Sequence, residues 1–317
     1  MTCWSGYMDR VSVVKVQGSV EKAVFKAVGL LEPLNLDLKQ DSLILFKPNV
    51  CFHVNFSGAV VTDLRVVEAA IKYFKGLNCR MMIAETDNMT GSAEKRCAST
   101  GFIDLANKLN IPFINLSKDE KLENFPLTDD ISIGLPKTAL EADLIVNLPK
   151  MKTSAFSGPR FRKDLLITIA MKNVFGLIAS GKKQKYHKVL DDVIILVNQL
   201  LKKQLVIVDG VIAMEGNGPI HGDPVNLNLI VAGLNPVSVD AVCCSIMGLN
   251  PQSCSYLKKA SEKGMGEIDV SKVEIVGEPL NNVRMKFKCP EFDVRSLLRI
   301  VGKHLKYQFK PSRIRNV

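Results

Sequence analysis

No stretch of this chain reaches the ~18 uninterrupted apolar residues that a membrane-spanning helix needs, and Met1 to Arg10 holds no signal-peptide apolar run. A soluble, cytoplasmic protein is the expectation. None of the eight cysteines stands in C-x-x-C spacing, so neither a zinc site nor an iron-sulfur cluster is signalled. Reduced cysteines used as small core residues fit a cytosolic compartment. Aromatic residues make up only 6% of the chain, which leaves little for stacking bases and ranks nucleic acid last among partners. There is no Gly-x-Ser-x-Gly turn for a hydrolase nucleophile. Gly216-x-Gly218-x-x-x-Gly222 does not match the dinucleotide fingerprint, and Ser180-Gly181-Lys182-Lys183 lacks the upstream glycine of a P-loop, so nucleotide binding is not inferred.

What remains is an ordinary globular composition, 47% hydrophobic and 23% charged over 317 residues, enough for one large or two medium domains. The formal charge of +10 is concentrated at one end. Val294 to Val317 carries Arg295, Arg299, Lys303, Lys306, Lys310, Arg313 and Arg315 without an acid, so the remaining chain is only +3, which is 10 less 7. Val294, Leu297, Leu298, Val301 and Leu305 fall at helical spacing, and residues 293–317 read as a basic amphipathic tail. It is suited to an acidic partner, an anionic surface or docking on its own domain.

Short β-rich runs alternate with helical patterns almost throughout. Strands are predicted at Val11 to Val16, Ser42 to Phe46, Arg80 to Ala84, Pro112 to Asn115, Ile131 to Gly134, Leu144 to Asn147, Gln204 to Val208, Asn228 to Val231 and Val273 to Val276. Helices are predicted near 20–31, 63–74, 93–109, 164–177, 188–201, 237–247 and 253–263. This alternation implies a Rossmann-like α/β fold with a mainly parallel sheet flanked by helices. The expected organisation is a single domain over 1–292, divisible into lobes 1–140 and 141–292 around one crevice, followed by the basic helical tail.

Polar residues gather where that reading places the carboxyl ends of strands: Lys47 and Asn49, Glu85 and Asp87, Lys150, Lys152 and Thr153, and Asp209. Parallel sheets bind ligands at those ends, so the four loops are expected to line one crevice. Lys172 and Asn173 interrupt an otherwise apolar helical pattern, where a lysine either snorkels outward or meets a partner. Arg160, Arg162, Lys163, Lys182, Lys183, Lys185 and Lys188 enlarge the positive field. Glu215-Gly216-Asn217-Gly218-Pro219 offers backbone conformations open to a ligand. Lys152, Lys172, Asp209 and Glu215 are the catalytic candidates. Lys47, Asn49, Glu85, Asp87, Lys150, Thr153, Asn173, His187, Gly216, Asn217 and Gly218 are the ligand-binding candidates. Glu85, Asp87, Asp209, Glu215 and Asp223 are oxygen donors that suit a divalent cation such as Mg²⁺ if they meet.

Taken as an ordered set, Lys47-Pro48-Asn49, Thr62-Asp63, Pro149 to Thr153, Lys172 to Gly176, His187, Asp209-Gly210, Met214 to Pro219, Asn235 to Ala241 and Met247-Gly248 resemble the family called domain of unknown function 362. The resemblance covers roughly Val11 to Pro290. Many members of that family carry a ferredoxin-like module, which implies redox company. Two positions depart from the family pattern: Ser154 stands where a histidine is usual, and no cluster-binding cysteine run follows Cys289-Pro290. Any iron-sulfur electron transfer would therefore come from a separate protein. The stretch Phe156 to Lys163 is also similar to a short Ser-Gly-Gly-Arg-Lys segment of nickel-pincer lactate racemases, too brief to imply an activity.

The leading expectation is an enzyme that binds an anionic small molecule or cofactor in the crevice, with Glu215 or Asp209 moving a proton. The alternative is a non-enzymatic cofactor-binding or electron-transfer accessory protein that docks a ferredoxin-like partner through the tail.

Overall fold

Residues buried on both faces of a sheet must be apolar on both, and the runs around Leu45 and Val146 meet that demand. The computed structural model describes residues 9–154 and 167–290. The basic tail, the Arg160 to Lys163 cations and the start of the helix predicted at 164–177 lie outside them.

The strands are β1 (Arg10–Lys15), β2 (Leu43–Pro48), β3 (Arg80–Glu85), β4 (Phe113–Asn115), β5 (Leu122–Thr128), β6 (Ile131–Pro136), β7 (Leu144–Leu148), β8 (Lys150–Thr153), β9 (Ile167–Thr168), β10 (Gln204–Glu215), β11 (Asp223–Gly233) and β12 (Glu274–Gly277). The α-helices are α1 (Val20–Gly29), α2 (Leu64–Phe74), α3 (Ala93–Ser99), α4 (Phe102–Leu109), α5 (Lys137–Glu141), α6 (Ala170–Val174), α7 (Leu190–Leu200), α8 (Pro236–Ile246) and α9 (Ser255–Glu262). The main sheet has the order β12-β1-β11-β10-β7-β2-β3-β4, with β8 and β9 added beside β10, while β5 and β6 form a separate hairpin. Pairing is mostly parallel; β11 runs antiparallel to both β1 and β10. The β2–β7 pairing joins strands from either side of residue 140. Two hydrophobic clusters flank the sheet, one containing α1 to α4 side chains such as Ile71 and Phe102, the other containing α7 to α9 side chains such as Val193 and Tyr256. Among the described residues no helix is long and apolar enough to cross a membrane.

All nine predicted strands are present, some with shifted ends. The helix predicted at 93–109 is two helices, because Gly101 adopts φ +85° between them and turns the chain. Within the pattern read as a helix over 164–177, only α6 is α-helical among the described residues. Two loop assignments also change. Lys150 to Thr153 is strand β8, and Asp209 lies inside β10, which continues past Val208 to Glu215 because it pairs with β11 as a long hairpin.

Candidate functional site

Lys47, Lys150 and Lys152 are 1%, 0% and 0% exposed, and Glu85 and Asp209 are 4% and 0% exposed. Charges so deeply enclosed need partners, and most of them find one another.

From β2, Lys47 Nζ donates to Glu85 Oε2 of β3 at 2.8 Å and to Pro48 O at 2.8 Å. Thr86 N caps the other carboxylate oxygen at 2.9 Å. Lys183 reaches the same corner, with Nζ 2.6 Å from Thr86 Oγ1 and 2.8 Å from Gly176 O. On the far side of the sheet centre, Lys150 of β8 and Asp209 of β10 form an ion pair at 2.7 Å. Asp209 Oδ2 also accepts from Asp63 N at 2.6 Å, and its Oδ1 accepts from Val211 N at 3.0 Å.

An amide chain runs from the Lys47 corner to Lys152 of β8. Asn173 Nδ2 donates to Asn147 Oδ1 at 2.9 Å and to Lys47 O at 3.1 Å, while Asn173 Oδ1 accepts from Asn49 Nδ2 at 3.1 Å. Asn49 Oδ1 in turn accepts from Lys152 Nζ at 2.8 Å. Lys152 also donates to Val60 O at 2.5 Å and to Pro219 O at 3.1 Å, which fastens the loops after β2 and β10 to β8. Gly218 lies so close to β8 that a Cβ would stand 2.1 Å from Thr153 O, so no side chain fits there. Thr153 Oγ1 holds the same turn through Gly216 O at 2.9 Å.

Helix α6 presents Lys172. Its ammonium lies 5.6 Å from the centre of the Phe175 ring and has no hydrogen-bond acceptor or ion-pair partner among the described residues. Solvent reaches this residue in part. Burial pushes its pKa down to about 8, with Cys51 acting upward and Lys152 downward. Lys183 is pushed to about 7, mainly by burial, with Glu85 opposing and Lys47 and Arg96 reinforcing. Lys152 is lowered as well, by burial first. His187 is lowered by burial and then by Lys172; its Nδ1 lies 3.1 Å from Gln184 O. Lysines with pKa values lowered on folding make the native state bind fewer protons than the unfolded chain, so their contribution to stability is present above the unfolded lysine value and is lost as pH falls. Relative to a Lys183→Met variant, the wild type should lose stability as pH falls from about 10 to about 7; denaturant titrations of both proteins across that range check it. A constant difference between the two contradicts the assignment.

Asp240, from α8, anchors α6. Its carboxylate accepts from Ala170 N at 2.7 Å and Met171 N at 3.1 Å, and burial pushes its pKa up to about 7 despite those bonds. Asp240→Ala strands two buried N–H groups beside Lys172 and is expected to cost about 1–3 kcal/mol, measured by denaturant unfolding.

Not every sequence candidate joins this network. Glu215 accepts from Lys288 N at 2.9 Å and pairs with Lys288 Nζ at 3.0 Å, so it serves the segment near Cys289. Asp87 accepts from Ala93 N at 2.8 Å and Asn115 Nδ2 at 2.8 Å, which ties α3 to the end of β4. Gly216 has φ +71° and Asn217 follows it in the turn over β8. Among the described residues no three of the His, Cys, Asp and Glu side chains assemble a metal site. Grooves of about 470 Å³ elsewhere, one between Ser245 and Arg284 and one beside Asn198 and Met265, are lined by none of the lysines above. Thr62, Asn147, Lys183 and Asp240 fall in motifs or in the positive field but not among the catalytic or ligand-binding candidates; a lone carboxylate in the apolar α8 pattern is the signal that marks Asp240.

Residues 44–245 match the model of a family described as domain of unknown function 362. A thylakoid-associated protein of Synechocystis sp. is 26% identical over 299 residues, covering 88% of this chain and 89% of that one. The structure of the lactate racemase apoprotein from Thermoanaerobacterium thermosaccharolyticum aligns with a TM-score of 0.40 and 14% identity, over 71% of this chain and 54% of that chain. This chain thus spans about half the length of that structure.

Proposed function

The chain belongs to the domain of unknown function 362 family, and we propose that it is an enzyme that binds a small anionic molecule at Lys172. The observation that carries this reading is the charge balance. Glu85 and Asp209 are already paired with Lys47 and Lys150, whereas Lys152, Lys172 and Lys183 have no carboxylate partner among the described residues. Lys152 and Lys183 direct their protons at neutral oxygens; Lys172 directs its protons at none among the described residues. A carboxylate, sulfate or phosphate group supplies the missing charge and acceptors. With a pKa of about 8, Lys172 exists in both protonation states near neutrality, the condition for a general acid or base. Lys152 and Asn173 then act as positioning residues that fix the loops and α6 around it.

The direct test is thermal stabilisation by sulfate, oxalate and malonate. Saturable stabilisation of the wild type that is lost in Lys172→Met supports the reading. Equal response of both proteins, or none in either, refutes it. Mass spectrometry of molecules that co-purify with the native protein identifies the natural anion.

The Synechocystis relative is thylakoid-associated. Peripheral attachment of this chain through its basic tail is the matching proposal for residues 293–317. Deleting Val294 to Val317 should abolish salt-sensitive co-sedimentation with phosphatidylglycerol vesicles; undiminished binding would contradict it.

A further inference from the structure

Four cysteines, Cys97, Cys243, Cys244 and Cys254, are sealed in the core, and burial pushes their thiols up. Cys51 differs in the two properties that govern thiol chemistry, access and surrounding charge. Solvent reaches it in part. Its Sγ lies 3.6 Å from Lys152 Nζ and reaches Val60 O at 3.3 Å and Pro219 O at 3.7 Å, and Cys51 acts upward on the Lys172 pKa. Lys152 is wholly enclosed, and its remaining contacts, Asn49 Oδ1, Val60 O and Pro219 O, are neutral oxygens. Its neighbours Lys47 and Lys150 each have a carboxylate. Among the described residues, the one titratable acid within hydrogen-bond reach of Lys152 is the Cys51 thiol.

We propose that Cys51 is a nucleophilic thiol that exchanges with small anionic disulfides, with Lys152 neutralising the thiolate and Lys172 drawing in the carboxylate-bearing partner. Loss of the thiol proton to solvent creates the anion that Lys152 lacks, so ionisation here pairs an enclosed charge. The sulfur electron pair attacks one sulfur of the small disulfide. A new S–S bond joins Cys51 to one half, the old S–S bond breaks, and the other half leaves as a thiolate that takes up a proton. The small disulfide is the only oxidant, and one of its sulfurs is reduced. The part assigned to Lys172 rests on the reading of that residue as an anion contact.

The test exposes the full chain to oxidised glutathione, which is anionic, or to cystamine, a cationic disulfide, and follows adducts by peptide mapping. Cys79 is the internal control, since it too is partly exposed but its sulfur faces the Lys39 carbonyl at 3.6 Å and no lysine ammonium among the described residues. Cys51 should form its glutathione adduct roughly tenfold faster than Cys79 and should favour oxidised glutathione over cystamine, a preference that salt erodes. Lys172→Met should reduce that preference, and Cys51→Ser should lose the adduct while still binding sulfate. Lys152→Met should slow Cys51 to about the rate of Cys79; should that variant fail to fold, iodoacetamide alkylation of the wild type ranks Cys51 against Cys79 without any variant. Cys51 reacting no faster than Cys79, or favouring cystamine, overturns the proposal. If that happens while sulfate still binds at Lys172, the thiol proposal alone falls. Loss of sulfate binding with Cys51 still the faster thiol instead removes the role of Lys172 and keeps that of Lys152.

Discussion

Replacing Asp209 with asparagine is expected to destabilise the protein by about 3–5 kcal/mol, because it leaves Lys150 as an enclosed ammonium without its carboxylate. The pair is 0% exposed on both sides at 2.7 Å, so solvent cannot compensate. Asparagine still offers one oxygen to Asp63 N or Val211 N, yet it carries no charge and its amide brings two donors to a place that already has donors on every side. In a chain of this size the loss corresponds to a fall in melting temperature on the order of 10 °C. The double variant Lys150→Met/Asp209→Leu should recover most of it, since a buried pair replaced by apolar groups of similar volume is often neutral. Equal loss in the single and double variants would show that Asp209 matters for its hydrogen bonds to Asp63 and Val211, and not for Lys150.

Lys172→Met should behave in the opposite way. Lys172 makes no ion pair among the described residues, and its ammonium bears a desolvation cost; methionine keeps the packing on Phe175 while removing that cost. Melting of the unliganded variant should therefore match or exceed wild type. Binding of sulfate or oxalate should weaken about ten- to a hundredfold, the equivalent of one charge-assisted contact worth roughly 1.5–3 kcal/mol. Calorimetric titration and thermal unfolding on the same samples separate the two effects. A variant that unfolds without ligand, or one that binds sulfate as well as wild type, would return Lys172 to a purely structural role.

The contrast between Asp209 and Lys172 shows where sequence reading stops. Hydrophobic periodicity marked the strands of the main sheet because residues around Leu45 and Val146 must be apolar on both faces. It missed β8 and β9, since Lys-Met-Lys-Thr is a short polar-looking strand whose lysines are balanced by Asp209, Asn49 and loop carbonyls that lie far away in sequence. That Lys47, Glu85, Lys150, Lys152 and Asp209 all belong to one polar region was legible from their places near strand ends. Which of them neutralise one another was not, because pairing depends on register and loop approach. Lys183 illustrates the loss most clearly: set among Lys182, Lys185 and Lys188 it reads as one more solvated cation, yet it is the one directed into the corner of Thr86 and Gly176. Glu215 errs the other way, a conspicuous residue in a glycine-rich turn that is occupied by Lys288.

The account turns on Lys172 being a proton-exchanging cation that an anion completes. The measurement that tests it most directly is isothermal titration of sulfate, which does not itself titrate near neutrality, in buffers of different ionisation enthalpy and at a series of pH values. An anion beside Lys172 raises its pKa above the free value of about 8, so binding must take up protons near that pH, and affinity must fall as pH rises from about 8 towards 10. Both effects should vanish in Lys172→Met. Sulfate binding that takes up no protons, keeps its affinity up to about pH 10 and survives in Lys172→Met would contradict the account.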